Sequence, residues 1–161
     1  MYTKDEWRNY YDEKEALLLS KGYEIISPLD FYRSLFPEGS LQGDNNFDEK
    51  GNVIAVKLFA DGGYKRFIIR DNLKGLDSAL GTDTAIIPPL SFFGKSYSEK
   101  FAHELFAITV DIDYVKPQHL KNLLSYFTNK QDGSQSWRLM PTYLVNSGRG
   151  VHLYYLLDTP L

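Results

Sequence analysis

Length, composition and charge limit what this chain can be. It has 161 residues, of which 43% are hydrophobic and 24% charged, and a formal net charge of -3 at pH 7. These values are typical of a folded globular protein, and the length allows one domain or two small lobes. The absence of cysteine excludes disulfides and cysteine-based zinc sites. The acidic balance argues against a surface that coats nucleic acid, so contact with nucleic acid should be confined to a local basic groove.

Hydropathy along the chain bears on localisation. No apolar run approaches the roughly 18 to 20 residues of a membrane span, and the first residues are too polar for a signal peptide. We therefore expect a cytoplasmic protein with no membrane partner. Aromatic residues make up 15% of the chain; most should be buried, and exposed ones are suited to stack on bases.

Two helices are predicted near the start of the chain. Thr3 and Glu6 have the spacing of a capping box, so the first helix should cover residues 4–21, with Gly22 as its stop. A Ser-Pro dipeptide then begins a second helix within residues 27–36, because proline suits the first helical position.

A β-hairpin should follow a polar, glycine-rich loop. Residues 52–60 and 64–70 have strand character on either side of an Asp-Gly-Gly turn. Basic residues on this hairpin and before the next long strand are candidates for contact with nucleic acid or phosphate: Lys65, Arg66, Arg70, Lys95 and Lys100. The plain alternatives are a solvated hairpin face and a solvated helix start at residues 98–105.

An apolar run at residues 105–113 ends in two acids and predicts a strand. A period of two places its large apolar side chains on one face: Phe106, Ile108, Val110 and Ile112. Asp111 and Asp113 then share the other face, with Cα atoms roughly 6.6 Å apart, so both can converge on one divalent cation or bracket two. The sequence therefore predicts a metal site at this position.

A second pattern lies at residues 144–157, where two apolar stretches flank Ser147-Gly148-Arg149-Gly150. It predicts a hairpin whose turn carries a hydroxyl, a guanidinium and bare backbone amides, with His152 at the start of the outgoing strand. The two glycines would let the backbone approach a ligand. Such a turn near two acids suits a metal-bound triphosphate. Between the two patterns, leucines at helical spacing predict a helix that begins at Pro117.

These two patterns carry a family resemblance. An Asp-x-Asp that closes an apolar strand, followed by Ser-Gly-Arg-Gly-x-His opening another, resembles the first two motifs of the archaeo-eukaryotic primase superfamily, the primase-polymerases. The lead-in from Pro88 to Lys95 is similar to that of replication proteins of bacterial plasmids and other mobile elements. The resemblance covers residues 86–158. With the predicted elements it implies an α+β fold, in which an N-terminal helical and β-hairpin unit (1–100) packs on an incomplete RRM-like palm (101–161).

The resemblance also implies an activity. The chain would be the N-terminal catalytic fragment of a DNA primase-polymerase, a nucleotidyltransferase that joins (d)NTPs on a DNA template during mobile-element replication. Asp111 and Asp113 would hold Mg2+ or Mn2+ and provide the catalytic carboxylates. Ser147 and His152 would contact the incoming nucleotide together with the two glycines of the turn, and Arg149 is a looser match as a bidentate phosphate ligand.

One part of the family pattern is missing. The family has a third acidic motif downstream of the histidine, and the residues up to Leu161 do not contain it. Asp158 lies at the far end of the strand and is a poor substitute. We therefore expect the polypeptide to continue into further domains, such as a helicase, and the fragment alone to be inactive without the third acid.

Three alternatives stay open. A nucleotide-sugar transferase also holds a cation with Asp-x-Asp, but it gives no role to residues 147–152. A relaxase-type nuclease would need a His-x-His metal pair and a tyrosine nucleophile; Tyr154 and Tyr155 are present, but His152 has no histidine two positions away. A non-catalytic module that binds nucleotide or single-stranded DNA uses the same residues without a third acid. Nucleotide binding measured together with primer extension separates these cases.

Overall fold

The computed structural model describes residues 4–44, 49–80, 84–128 and 139–161. Within these ranges the fold is mixed α+β, with four α-helices and three small antiparallel sheets, so the predicted class is confirmed. The helices are α1 (Lys4–Ser20), α2 (Pro28–Leu35), α3 (Leu76–Ala79) and α4 (Pro117–Thr128). The strands are β1 (Val53–Leu58), β2 (Tyr64–Ile69), β3 (Thr84–Ile86), β4 (Leu90–Phe92), β5 (Ala102–Leu105), β6 (Ala107–Ile112), β7 (Tyr143–Asn146) and β8 (Val151–Leu156). None of the described helices is both long and apolar enough to cross a membrane.

The sheets have the strand orders β2-β1-β3, β4-β5 and β6-β8-β7. The described residues fall into two compact units. The first unit lies within Met1–Ile25 and Thr109–Leu156, and the second lies within Ile26–Ile108 and Leu157–Leu161. Helix α1 therefore belongs to the same unit as Asp111 and Asp113. The boundary predicted at residue 100 places the helix and these two acids in different units.

Local signals set the first two helices. Helix α1 ends at Ser20, and Gly22 has a φ of 83°, as a glycine that stops a helix should. At the start of α2 the Ser27 hydroxyl accepts a hydrogen bond from the Asp30 backbone N–H at 3.1 Å, and Pro28 takes the first helical position. Both helix predictions are confirmed, although Thr3, the expected cap of α1, lies outside the described residues.

The first unit is built around one apolar cluster. Five buried side chains of α4, β8 and the segment before α4 form its centre: Val115, Leu120, Leu124, Val151 and Leu153. Leu17 and Leu18 of α1 pack against it, as do Leu144 of β7 and Ile112 of β6. Helix α4 and the β7–β8 hairpin are thus confirmed, and the helical spacing of leucines predicted which face of α4 is buried.

The second unit contains the predicted β1–β2 hairpin. Val53 pairs with Ile69 at its buried end, and Leu58 pairs with Tyr64 next to the turn. In the turn, Asp61 Oδ1 accepts a hydrogen bond from the Gly63 N–H at 2.8 Å, which is the usual role of aspartate in a short turn. The hairpin prediction is confirmed.

The segment before the acidic strand differs from expectation. Residues 98–105 do not begin a helix: one 3₁₀ turn (Glu99–Phe101) is followed by β5, which pairs with β4. The long apolar strand is also interrupted at Phe106, whose N–H donates to Pro89 O at 2.8 Å and whose ring packs edge-on against Phe36 with centroids 5.1 Å apart. Pairing with a neighbouring strand and burial of an aromatic ring override the local helix signal here.

Candidate functional site

The two sequence motifs meet in the sheet of the first unit. Strands β6 and β8 are neighbours, and His152 Nε2 lies 3.2 Å from Asp111 Oδ1. The Asp111 side chain is 64% exposed and the His152 side chain 35% exposed, so the pair is open to a ligand. A neutral imidazole with its proton on Nε2, or a protonated one, can donate a hydrogen bond to this carboxylate.

Strand alternation places Asp111 on the side of this sheet opposite the apolar cluster. Ile112 packs against the apolar cluster, so Asp111 lies on the opposite side, and Asp113 comes directly after the last residue of β6. Both aspartates are exposed. Val110 is also 42% exposed, since β6 is an edge strand of its sheet and the cluster covers only part of it.

In the turn Ser147–Gly150, each of the three backbone carbonyls that follow Ser147 accepts a hydrogen bond. Gly148 O and Gly150 O accept from Lys14 Nζ at 2.8 and 2.9 Å. Arg149 O accepts from the Val115 N–H at 2.8 Å, which ties the turn to the segment that follows Asp113. The turn therefore has a fixed backbone beside the carboxyl end of β6.

Its two glycines serve different purposes. Gly148 has a φ of +85°, and a Cβ built on it would meet nothing within 4 Å, so its conformation is what requires glycine. A Cβ on Gly150 would lie 2.4 Å from the carbonyl oxygen of Ile112. Gly150 is buried, so its missing side chain makes room for β6, a role that the sequence does not reveal.

Arg149 and Tyr114 form an exposed contact next to the acids. The guanidinium carbon of Arg149 lies 5.9 Å from the centre of the Tyr114 ring, a cation–π distance, and Trp7 packs on the same ring at 5.9 Å. Tyr114 follows Asp113 directly, is 61% exposed and has a φ of 57°, which is uncommon for a residue other than glycine. Ser147 is exposed as well, with its hydroxyl beside Gly150.

Two residues near this site were not predicted as part of a nucleotide site. Tyr154 lies two positions beyond His152 on the same face of β8; its own burial and, second, the charge of Asp111 raise the pKa of its phenol. The spacing His152-x-Tyr154 was the available signal. Lys14 of α1 is the other, and no local pattern marks a lysine of an amphipathic helix as the partner of a turn 134 residues away.

The side chains here include the ligand type that small divalent cations use. Mg2+ commonly takes one or two carboxylates, keeps several waters and completes its shell with substrate phosphates. Asp111 and Asp113 are exposed carboxylates of this kind. Across the four described ranges, no group of three or more His, Asp or Glu side chains is placed to hold a metal ion. A cation held here would therefore need oxygen ligands from water or from a bound phosphate.

The basic candidates of the second unit do not form one strip. Lys65 and Arg66 are consecutive in β2 and so point to opposite faces; Lys65 lies over the Phe67 ring and Arg66 over the Tyr64 ring. Arg70 Nη1 lies 3.9 Å from Asp44 Oδ1. The other two basic candidates, Lys95 and Lys100, are both exposed.

Comparison with family models, with curated proteins and with solved structures finds no match for this chain. The functional assignment therefore depends on the geometry of the first unit and on the chemistry of its side chains.

Proposed function

We propose that this chain carries the nucleotide site of a primase-polymerase, in which the sheet β6-β8-β7 and its helices are the first part of an RRM-like palm. The observation that supports this is the contact between Asp111 and His152, because it brings the acidic motif and the Ser-Gly-Arg-Gly-x-His motif to one place. The proposed partners are (d)NTPs and a DNA template, with Mg2+ or Mn2+ as cofactor, in the replication of a mobile element.

In nucleotidyl transfer, the oxygen of a 3′-hydroxyl forms a bond to the α-phosphorus of a nucleoside triphosphate. The bond from that phosphorus to the bridging oxygen breaks, pyrophosphate leaves with the bonding electrons, and the hydroxyl proton passes to water. Asp111 and Asp113 would hold the divalent cations, which neutralise the phosphate oxygens and the developing charge. His152 Nε2 lies 3.2 Å from Asp111 Oδ1 and would orient that carboxylate. Ser147 and Arg149 are exposed donors for phosphate oxygens, and the guanidinium fork suits a bidentate contact.

The function is tested by titrating the 161-residue chain with dATP, with and without Mn2+. We expect binding that requires Mn2+, that deoxyadenosine does not reproduce, and that a nucleotide sugar does not displace. Primer extension by a polypeptide lengthened downstream of Leu161 is the second measurement. Metal-independent binding, or preferential binding of the nucleotide sugar, would contradict the proposal.

A second candidate is a module that binds nucleotide or single-stranded DNA and catalyses nothing. The observation in its favour is that the described residues place no more than two acidic or histidine ligands together. Under this candidate the chain binds Mn2+ and dATP as above, and the lengthened polypeptide also fails to extend a primer.

Replacing His152 tests its contact with Asp111. We expect His152→Ala to weaken Mn2+-dependent dATP binding by roughly tenfold or more, since a hydrogen bond from the imidazole to a charged group would contribute roughly 1.5 to 3 kcal/mol. His152→Gln retains a donor and should lose less. The affinities are measured by calorimetry, and equal affinity of the alanine variant and the unmodified chain would remove His152 from the site.

Replacing Tyr114 tests whether the position of the Arg149 side chain matters for dATP binding. Tyr114→Ala removes the ring that holds the guanidinium, a contact of about 0.5 to 1 kcal/mol at an exposed position, so dATP affinity should fall by roughly twofold to fivefold. Tyr114→Phe keeps the ring and is the matched control. If the phenylalanine variant loses as much affinity as the alanine variant, the hydroxyl matters and the cation–π contact does not.

A further inference from the structure

Lys14 is a buried cation at the centre of a helix. It occupies the middle of α1, and its relative exposure is 0%. Its ammonium donates to two carbonyl oxygens, Gly148 O at 2.8 Å and Gly150 O at 2.9 Å. Asn146 adds a second link between turn and helix, because its Nδ2 donates to Tyr11 O at 3.0 Å and its Oδ1 accepts from the Gly148 N–H at 3.4 Å.

Burying an ammonium group at a helix position costs folding free energy, because the charge is removed from water. Burial lowers the pKa of Lys14, and among the described residues no carboxylate pairs with it. An apolar side chain of similar volume commonly stabilises a fold at least as well as a buried charge does. Packing alone therefore does not explain a lysine here, whereas control of the two carbonyls does.

The direction of those carbonyls determines where the amides of the turn point. Within the described residues every peptide bond is trans, so the N–H of one residue points opposite to the C=O of the residue before it. Because Gly148 O points at Lys14, the N–H of Arg149 points away from Lys14. The cation behind the carbonyl also polarises this peptide and strengthens its N–H as a donor.

We propose that Lys14 is a positioning residue which aims the Arg149 backbone N–H at a phosphate oxygen of the bound nucleotide. This inference depends on the proposed nucleotide site and adds a ligand that the side chains do not reveal. The motif turn would then bind anions with its backbone as well as with Ser147 and Arg149. Lys14 does not touch the ligand; it acts through the Gly148–Arg149 peptide.

The test compares Lys14→Met and Lys14→Arg with Arg8→Met, which removes one exposed positive charge from the same helix. The probes are dATP with Mn2+, inorganic tripolyphosphate and deoxyadenosine. Lys14→Met should bind both phosphate probes roughly tenfold more weakly, while Lys14→Arg should recover part of the loss and Arg8→Met should equal the unmodified chain. A folded Lys14→Met variant with unchanged affinities overturns the inference.

A second readout separates positioning from a purely structural role. In the unmodified chain, the Arg149 amide should show one of the largest 15N and 1H shift changes when tripolyphosphate is added. This measurement also decides the matter if Lys14→Met does not fold. Tripolyphosphate binding without a response from that amide overturns the inference and leaves the proposed function standing, whereas absence of binding by the unmodified chain overturns both.

Discussion

Asp111→Asn is expected to abolish primer extension by the lengthened polypeptide, with a loss of at least about a thousandfold, which corresponds to roughly 4 kcal/mol of transition-state stabilisation. The amide keeps the shape of the side chain and removes the charge that would bind the cation. Because the side chain is 64% exposed, folding stability should change little. Asp113→Asn should behave in the same way. The rate is measured with Mn2+ and a labelled primer on a DNA template.

The matched control is Asp77→Asn, which removes an exposed carboxylate from the first turn of α3 in the second unit. It should leave extension and Mn2+-dependent dATP binding unchanged. Normal synthesis by either Asp111→Asn or Asp113→Asn would defeat the assignment of these acids as metal ligands. Loss of extension with unfolding, seen as a lowered urea midpoint, would instead identify a structural role.

Short-range signals made much of this fold predictable. The Ser27 cap with Pro28, the leucine spacing of α4 and the Asp61 turn each act within a few residues, so the sequence contains the whole signal. The same is true of the alternation that puts Asp111 opposite Ile112. In the segment before Phe106, pairing of β5 with β4 competes with helix formation, and local propensity no longer decides which structure forms.

The parts of the site that could not be predicted depend on contacts between distant segments. Lys14 reaches Gly148 across 134 residues, and Gly150 is required by the carbonyl of Ile112 on another strand. Neither contact leaves a periodic pattern in the chain. A glycine in a turn indicates freedom of the backbone; whether that freedom serves a φ value, a ligand or a neighbouring strand depends on the fold.

Gly150 is therefore the position where a single methyl group should have the largest effect on the first unit. A Cβ there would lie 2.4 Å from Ile112 O and 3.3 Å from Ile112 C, and backbone atoms in a sheet cannot rotate away as a side chain can. We expect Gly150→Ala to lower the free energy of unfolding by about 3 kcal/mol, at the upper end of the usual cost of overpacking. The shift of β6 would also displace Asp111 and weaken Mn2+-dependent dATP binding.

Gly148→Ala is the comparison, because the same methyl group meets no atom within 4 Å and only the φ of +85° opposes it. Its cost should be about 1 to 2 kcal/mol, the penalty of a left-handed conformation for an ordinary residue. Urea unfolding of both variants gives the two free energies. A larger loss at Gly150 than at Gly148 indicates that the turn and the acidic strand fit together through close backbone contact. Equal losses, or a smaller loss at Gly150, would mean that β6 can move away from the turn. The acids, the turn and His152 would then not be held close enough to form one nucleotide site.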